Sequence, residues 1–271
     1  MTKIKVLLSE LLLFAAIQFL GIFVATKLML NRPELLAVPE ISLATFGTIF
    51  LVSVVFILLA MRFIKHKHGF KLLFVFLIVV GSKTVFSAFV SDMTANILAL
   101  LVVALWVGLP YVFMHNAVLL LAVSGISTEL GFSVSFSTIL LLLAILSIYD
   151  VLAVYQTKHM VKMFTGLMDR GLLLSIVVPF KNKDWFAKTD TVRPRKGFLL
   201  LGTGDLAFPL IFAVTALSIS LKASLFIALG SIVGAALVFY LLTHQTQRRA
   251  IPALPPIALC SILGFLASFL V

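Results

Sequence analysis

The sequence predicts an all-α polytopic membrane protein with nine transmembrane helices. Hydrophobic residues make up 62% of the chain and charged ones only 11%, less than half the charge of an ordinary soluble domain. Mean hydropathy is +1.21. The apolar residues fall into runs of about 20, the length that crosses roughly 30 Å of hydrocarbon. With 25 Phe against 21 Lys and Arg, and no Ser/Pro/Gly-rich linker, there is no room for a large soluble domain. We expect one integral membrane domain over residues 1–271, with six spans in about 6–155, a cytoplasmic loop over about 156–196 and three spans in about 197–271.

In chain order, spans are expected near Val6 to Leu30, Ile41 to Met61, Phe70 to Ser91, Phe136 to Tyr155, Phe198 to Ser218, Ala223 to Leu242 and Ala253 to Val271. The stretch from Asn96 to Gly131 would extend about 54 Å as one helix, too long for a single crossing. Gly108-Leu109-Pro110 breaks it into two shorter spans, which completes nine. The N-terminal run is read as a retained first span, because it lacks a small-x-small cleavage site near its end.

Charge parity supports this count. With nine spans, one face collects Lys3, Lys5, Arg62, Lys65, Lys67, Lys71, the basic residues between Lys158 and Lys196, Arg248 and Arg249. The other face keeps Lys27, Arg32 and Lys222. By the positive-inside rule the N-terminus is cytoplasmic and the C-terminus extracytoplasmic. The net charge of +11 therefore reflects loops that flank apolar runs, and no nucleic-acid partner is expected. Lys83, inside the third span, is expected to snorkel or to line a polar interior.

Two acids break the apolar pattern. Asp205 ends Gly202-Thr203-Gly204-Asp205 near the start of the Phe198 run, and Asp150 ends Ser147-Ile148-Tyr149-Asp150 in the span before it. Ionisable groups at membrane depth are costly and carry function by default. Asp150 precedes Lys158 by eight residues and Asp205 follows Lys196 by nine, so each lies about 12 to 14 Å from a basic boundary. Matched depth on antiparallel neighbours lets the two side chains meet. Two adjacent carboxyl groups in low dielectric favour holding one proton between them, which suits hydrolysis. The ionised member takes a proton from an attacking water while the protonated one supports the oxyanion and then the leaving amine.

The neighbouring residues suit an approaching substrate backbone. Gly202 and Gly204 carry no side chain and loosen the helix beside Asp205, although Gly-x-Gly by itself is also a helix-packing pattern. Pro209 removes the N–H that would pair with the Asp205 carbonyl. Pro252-Ala253-Leu254, followed by Pro255 and Pro256, reads as a helix start or as an extended segment whose free backbone groups meet a substrate.

Tyr149-Asp150, Gly202-Thr203-Gly204-Asp205 and Pro252-Ala253-Leu254, in this order on the sixth, seventh and ninth spans, resemble the presenilin and signal peptide peptidase family. The similarity is greatest to the compact archaeal presenilin homologues. The resemblance implies a nine-helix intramembrane aspartyl protease with Asp150 and Asp205 as the catalytic pair. Tyr149, Gly202, Gly204, Pro252, Ala253 and Leu254 would then shape the active site and the substrate path. It also implies transmembrane helical proteins as substrates, cleaved with water and without a metal or other cofactor. The basic-loop count matches the presenilin orientation, so substrates with an extracytoplasmic N-terminus are expected. The loop from Gln156 to Lys196 corresponds to the hydrophilic loop of presenilins, and its apolar piece, Gly171 to Phe180, is expected to lie at the interface or form a strand. No accessory subunit is expected to be required, and self-association stays open.

Two rivals use similar residues. A proton-coupled transporter or channel also pairs intramembrane carboxylates with broken helices, but would show them in two repeated halves. Prepilin peptidases share Gly-x-Gly-Asp, yet typically continue with Asp-x-Lys where this chain has Leu206-Ala207. His66 and His68 lie among positive charges and are not read as metal ligands. Cys260, the sole cysteine, excludes an intrachain disulfide. Glu10 and Gln18 are assigned to helix contacts, and Trp106, Tyr111 and Trp185 to the membrane interface.

Overall fold

A computed structural model describes residues 3–32, 42, 44–45, 47–49, 52, 55, 67–156, 166–193, 197–245 and 250–270. The expected second span, His66 and the basic residues Lys158, Lys196, Arg248 and Arg249 lie largely or wholly outside these, as does the side chain of His68. Eight helices are described: α1 (Lys3–Asn31), α2 (Lys67–Ser87), α3 (Asp92–Gly108), α4 (Val112–Ser133), α5 (Phe136–Val151), α6 (Thr203–Thr215), α7 (Leu221–Thr243) and α8 (Leu254–Ala267). Five segments, in α1, α2, α4, α5 and α7, are long and apolar enough to cross a membrane, and three apolar helices are shorter. The chain break expected between the fourth and fifth spans falls at Gly108 to Pro110, between α3 and α4.

Serines set several helix starts. Ser91, Ser135 and Ser220 each accept the N–H three residues on, at the heads of α3, α5 and α7. A wide turn, Leu152–Gln156, carries α5 on past Val151.

Two strands stand between α5 and α6: β1 (Ser175–Pro179) and β2 (Phe198–Gly202), antiparallel, with Ser175 opposite Gly202 and Pro179 opposite Phe198. The Gly171 to Phe180 piece thus takes the strand alternative. β2 corrects the expectation of one helix from Phe198 to Ser218. A buried strand cannot leave its edge unpaired in an apolar setting, and the Phe198-Leu199-Leu200-Leu201 run supplies the partner that β1 requires.

The other edge of β1 is held by α4. Asn116 Nδ2 donates to the Val177 carbonyl at 2.7 Å and its Oδ1 accepts the Val177 N–H at 2.9 Å, so one amide side chain copies a strand partner. His115 Nε2 lies 3.1 Å from the Ser175 carbonyl. Asn116→Leu leaves both Val177 groups unpaired and is expected to cost about 2–4 kcal/mol. Thermal unfolding in detergent should show a clearly lower midpoint for this variant, and an unchanged midpoint would contradict the clamp.

In lipid the hydrophobic effect does not bring helices together, so close packing and hydroxyl bonds must. Ser124 and Thr128 of α4 donate to the Ile17 and Gly21 carbonyls of α1, at 3.0 and 3.2 Å. Thr215 of α6 donates to the Gly131 carbonyl of α4 at 3.1 Å. Gly81 of α2 lies against the backbone of Ala122 and Gly125 in α4, with no space for a Cβ. These contacts gather α1, α4 and α6 around fully buried Phe14, Ile17, Leu206, Leu210 and Phe212, which fixes where the head of α6 sits.

Candidate active site

The late start of α6 is the main consequence of β2. With Gly202 extended at φ −63° and ψ 145°, the helix begins at Thr203 and Asp205 falls in its first turn. The helix-loosening role expected of Gly202 is corrected accordingly: it is the last strand residue and the cap. Its backbone amide faces the Asp205 carboxylate, which reaches back from three residues on as the acid of a capping box does. A Cβ at position 202 would stand 3.1 Å from Asp205 Oδ2. Gly204 is exposed, and an added Cβ there would meet nothing nearer than the Phe208 ring at 3.9 Å.

Farther along α6, Pro209 leaves the Asp205 carbonyl without its helical donor. The next carbonyl, of Leu206, accepts the Gln18 side-chain amide of α1 at 2.9 Å. Gln18 is fully buried, and its helix-contact assignment thereby acquires a definite partner beside Asp205.

Asp150 is the penultimate residue of α5, two before the wide turn, and is 5% exposed against 8% for Asp205. The start of α8 approaches it. Pro255 and Pro256 have no N–H, and Ile257 N–H turns back to the Ala253 carbonyl at 3.4 Å. The first turn therefore presents only the amides of Ala253 and Leu254 outward. Leu254 N–H donates to Asp150 Oδ2 at 3.2 Å, and the Ala253 backbone points at the same carboxylate. Asp150 Oδ1 is buried with no hydrogen-bond partner among the described residues. Asp150 and Asp205 lie close enough to interact electrostatically.

The structure thus brings together five of the residues singled out: Asp150, Asp205, Gly202, Ala253 and Leu254. Pro252 is buried just before them. Tyr149 is exposed, 50% of its surface free, on the outer face of α5 one position from Asp150. Glu10, a third buried acid on α1, has its Oε2 unpartnered among the described residues.

Asn116, His115 and the capping role of Gly202 were not anticipated. One signal was present: a strand at Gly171 to Phe180 needs an apolar partner of equal length, and Phe198 to Gly202 follows the loop. Gly202-x-x-Asp205 is also spaced as a cap and its acid. Asn116 carries no such signal, since its partner is a backbone group 61 residues away.

The arrangement has counterparts. A family model described as signal-peptide peptidase, presenilin aspartyl protease, matches residues 11–271. A solved structure of a presenilin family intramembrane aspartate protease in space group C222 is similar at a TM-score of 0.65 and 24% identity, over 97% of this chain and 98% of that one. A second, of a presenilin family intramembrane aspartate protease in space group P2, is similar at 0.64 and 24%, over 97% of each chain. No curated protein sequence matches. Matched over nearly its whole length and built on that fold, the chain belongs to the signal-peptide peptidase and presenilin family of aspartyl proteases, and is a multi-pass integral membrane protein.

Proposed function

We propose that the protein is an endopeptidase that hydrolyses peptide bonds inside the transmembrane helices of other membrane proteins, with Asp150 and Asp205 as its general acid and base. The observation that carries this reading is the juxtaposition of two buried carboxyl groups, from the tail of α5 and the head of α6, within electrostatic reach of each other.

The chemistry follows from one shared proton. The ionised carboxylate takes a proton from a water molecule as its oxygen bonds to the scissile carbonyl carbon, while the protonated partner donates to the carbonyl oxygen. The tetrahedral carbon then expels the amine. The proton just taken passes to the amine nitrogen, and the diol proton returns to the carboxylate that gave one up. Backbone amides of Leu254 and Gly202 hold one oxygen of each acid, so the pair keeps its geometry through the cycle. A substrate helix hides its carbonyls in its own hydrogen bonds and must unwind locally before water attacks. The exposed, side-chain-free Gly204 next to Asp205 suits close approach of such an opened segment. Tyr149 and Pro252 flank the pair and shape that approach.

In this reading residues 1–271 form one membrane domain of nine spans, the second over 41–61, with the N-terminus cytoplasmic and the C-terminus extracytoplasmic. The distribution of basic loops supports this orientation. The site then faces the cytoplasmic half of the bilayer, and no metal, cofactor or accessory subunit takes part. Membership of a family described as aspartyl proteases favours this reading over the proton-coupled transporter or channel.

The test is cleavage of a transmembrane peptide by the purified chain in lipid, with and without an aspartyl protease inhibitor that mimics the tetrahedral intermediate. Inhibitable cleavage by the protein alone is expected, and proton-linked flux without cleavage would reject the reading. Orientation gives a second expected result. In proteoliposomes of fixed protein orientation, a substrate helix with an extracytoplasmic N-terminus should be cut at least about tenfold faster than its inverted counterpart, about 1.4 kcal/mol of discrimination. Equal rates would count against that preference.

A further inference from the structure

At the end of the bundle opposite the aspartates, α2, α3, α4 and Arg32, just past α1, border an open polar cleft of about 470 Å³ lined by Thr84 and the exposed Lys83, Asp92, Asn96 and Glu129. Its volume falls within the range of about 300 to 1,000 Å³ common for small-ligand sites. Chain order fixes its level. Asn31 Nδ2 donates to the Ala88 carbonyl at 3.1 Å, which ties the end of α1 to the end of α2, while Asp92 begins α3 and Glu129 lies in the last turns of α4. Asp150 is 14 residues, about 21 Å, down α5 from this end.

The charges in the cleft are balanced in number but not paired off. Arg32 and Asp92 form an ion pair at 2.8 Å. Lys83 and Glu129 line the same cleft, yet among the described residues neither belongs to an ion pair within 4.0 Å. Glu129 Oε1 accepts the Thr84 hydroxyl at 3.0 Å, and Lys83 lies within electrostatic reach of Asp92, which Arg32 already holds. A cation and an anion held apart across one cavity match a ligand that carries both charges with a short spacing between them.

The surroundings say what kind. Lys83 stands one turn before the end of α2, and below it on the same face, at helical spacings of seven and eleven residues, Phe76 and Leu72 are 61% and 71% exposed. From Asp92 and Asn96 a second exposed stripe descends α3 through Met93, Ile97 and Leu100. Two apolar stripes running from a charged cleft into the hydrocarbon zone fit an acyl chain below a headgroup.

We propose that this cleft binds one phospholipid with a primary-amine headgroup, of the phosphoethanolamine type, with its phosphate on Lys83 and its ammonium on Glu129. Phosphate pairs with the ammonium of Lys83 and the Asn96 amide. A primary ammonium donates N–H bonds to the Glu129 carboxylate, whereas a quaternary amine has no N–H to give and a glycerol headgroup brings no positive charge. The site is separate from the aspartate pair and does not depend on the proposed reaction.

The experiment uses the full chain, delipidated in detergent and mixed with phosphatidylethanolamine, phosphatidylcholine or phosphatidylglycerol of identical acyl chains, with retained lipid counted by native mass spectrometry. One phosphatidylethanolamine should be held about tenfold more tightly than either other lipid. Lys83→Gln should lower its affinity to the background level and Lys83→Arg should restore it. Glu129→Gln should abolish the preference over phosphatidylcholine. Equal retention of the three lipids by the unaltered chain, or an unchanged preference in Glu129→Gln, would overturn the assignment. If Lys83→Gln does not fold, the Glu129→Gln comparison decides alone. Soluble glycerophosphoethanolamine should compete only weakly, and competition as strong as that of the lipid would overturn a lipid ligand in favour of a free headgroup.

Discussion

Replacing either Asp150 or Asp205 with alanine should reduce peptide-bond cleavage by about a thousandfold or more, and the double replacement should cost little beyond either single one. A shared proton makes the two carboxyl groups one device: with one acid gone, the survivor can accept a proton from water or donate one, but not both in the same encounter. The single and double variants are therefore strongly non-additive. Asparagine separates position from proton transfer. Asp150→Asn keeps an oxygen for the Leu254 amide, 3.2 Å away in the native site, yet cannot carry the proton, so it should be as inactive as alanine. The stability readout runs the other way. Both acids are buried, 5% and 8% exposed, and burying a carboxyl group away from water costs stability. The inactive variants should melt at the same or a higher temperature than the native protein, as is common when a functional site is relieved. Cleavage within tenfold of native by either alanine variant would defeat the acid–base assignment, and a large fall in melting temperature would show that the acids hold the fold instead.

The residues of the candidate site were legible, because carboxylates and prolines are conspicuous in an apolar chain. Asp150, Asp205 and the Pro252 to Leu254 turn stand out by composition, and the eight residues from Asp150 to Lys158 and nine from Lys196 to Asp205 predict matched depth. The helix break at Gly108 to Pro110 was legible for the same reason: a 36-residue run from Asn96 to Gly131 cannot be one span, and its glycine and proline mark where it divides. What was not legible was β2. Phe198-Leu199-Leu200-Leu201 is as apolar as a membrane helix, and in a chain of uniformly apolar spans period and hydropathy no longer separate strand from helix. Pairing with β1 decides it, and that pairing is held by Asn116 from a different helix. Local sequence thus located Asp205, while long-range hydrogen bonding put it in the first turn of α6 rather than inside a continuous span.

The second large effect is expected at Gly234, where α7 crosses the first turn of α8. A Cβ at that position would stand 2.6 Å from Ile257 Cα and 2.9 Å from the Pro256 carbonyl oxygen, both backbone atoms that cannot swing aside. Gly234→Val must therefore push the head of α8 away from α7, with an overpacking cost of about 2–3 kcal/mol. The same turn carries the Leu254 amide that holds Asp150, so displacement there should also lower kcat, by roughly tenfold to a hundredfold for a 1 Å shift of a supporting group. Gly264, ten residues farther along α8 and pressed against the Phe226 carbonyl, provides the contrast. Gly264→Val overpacks the same pair of helices about 15 Å from Leu254, and should destabilise comparably while leaving the rate per folded molecule within a few-fold of native. Thermal melting combined with initial rates normalised to folded protein distinguishes the two. Equal loss of normalised rate in both variants would mean that α8 moves as one rigid rod, and equal retention would mean that the Leu254 amide does not set the geometry of Asp150.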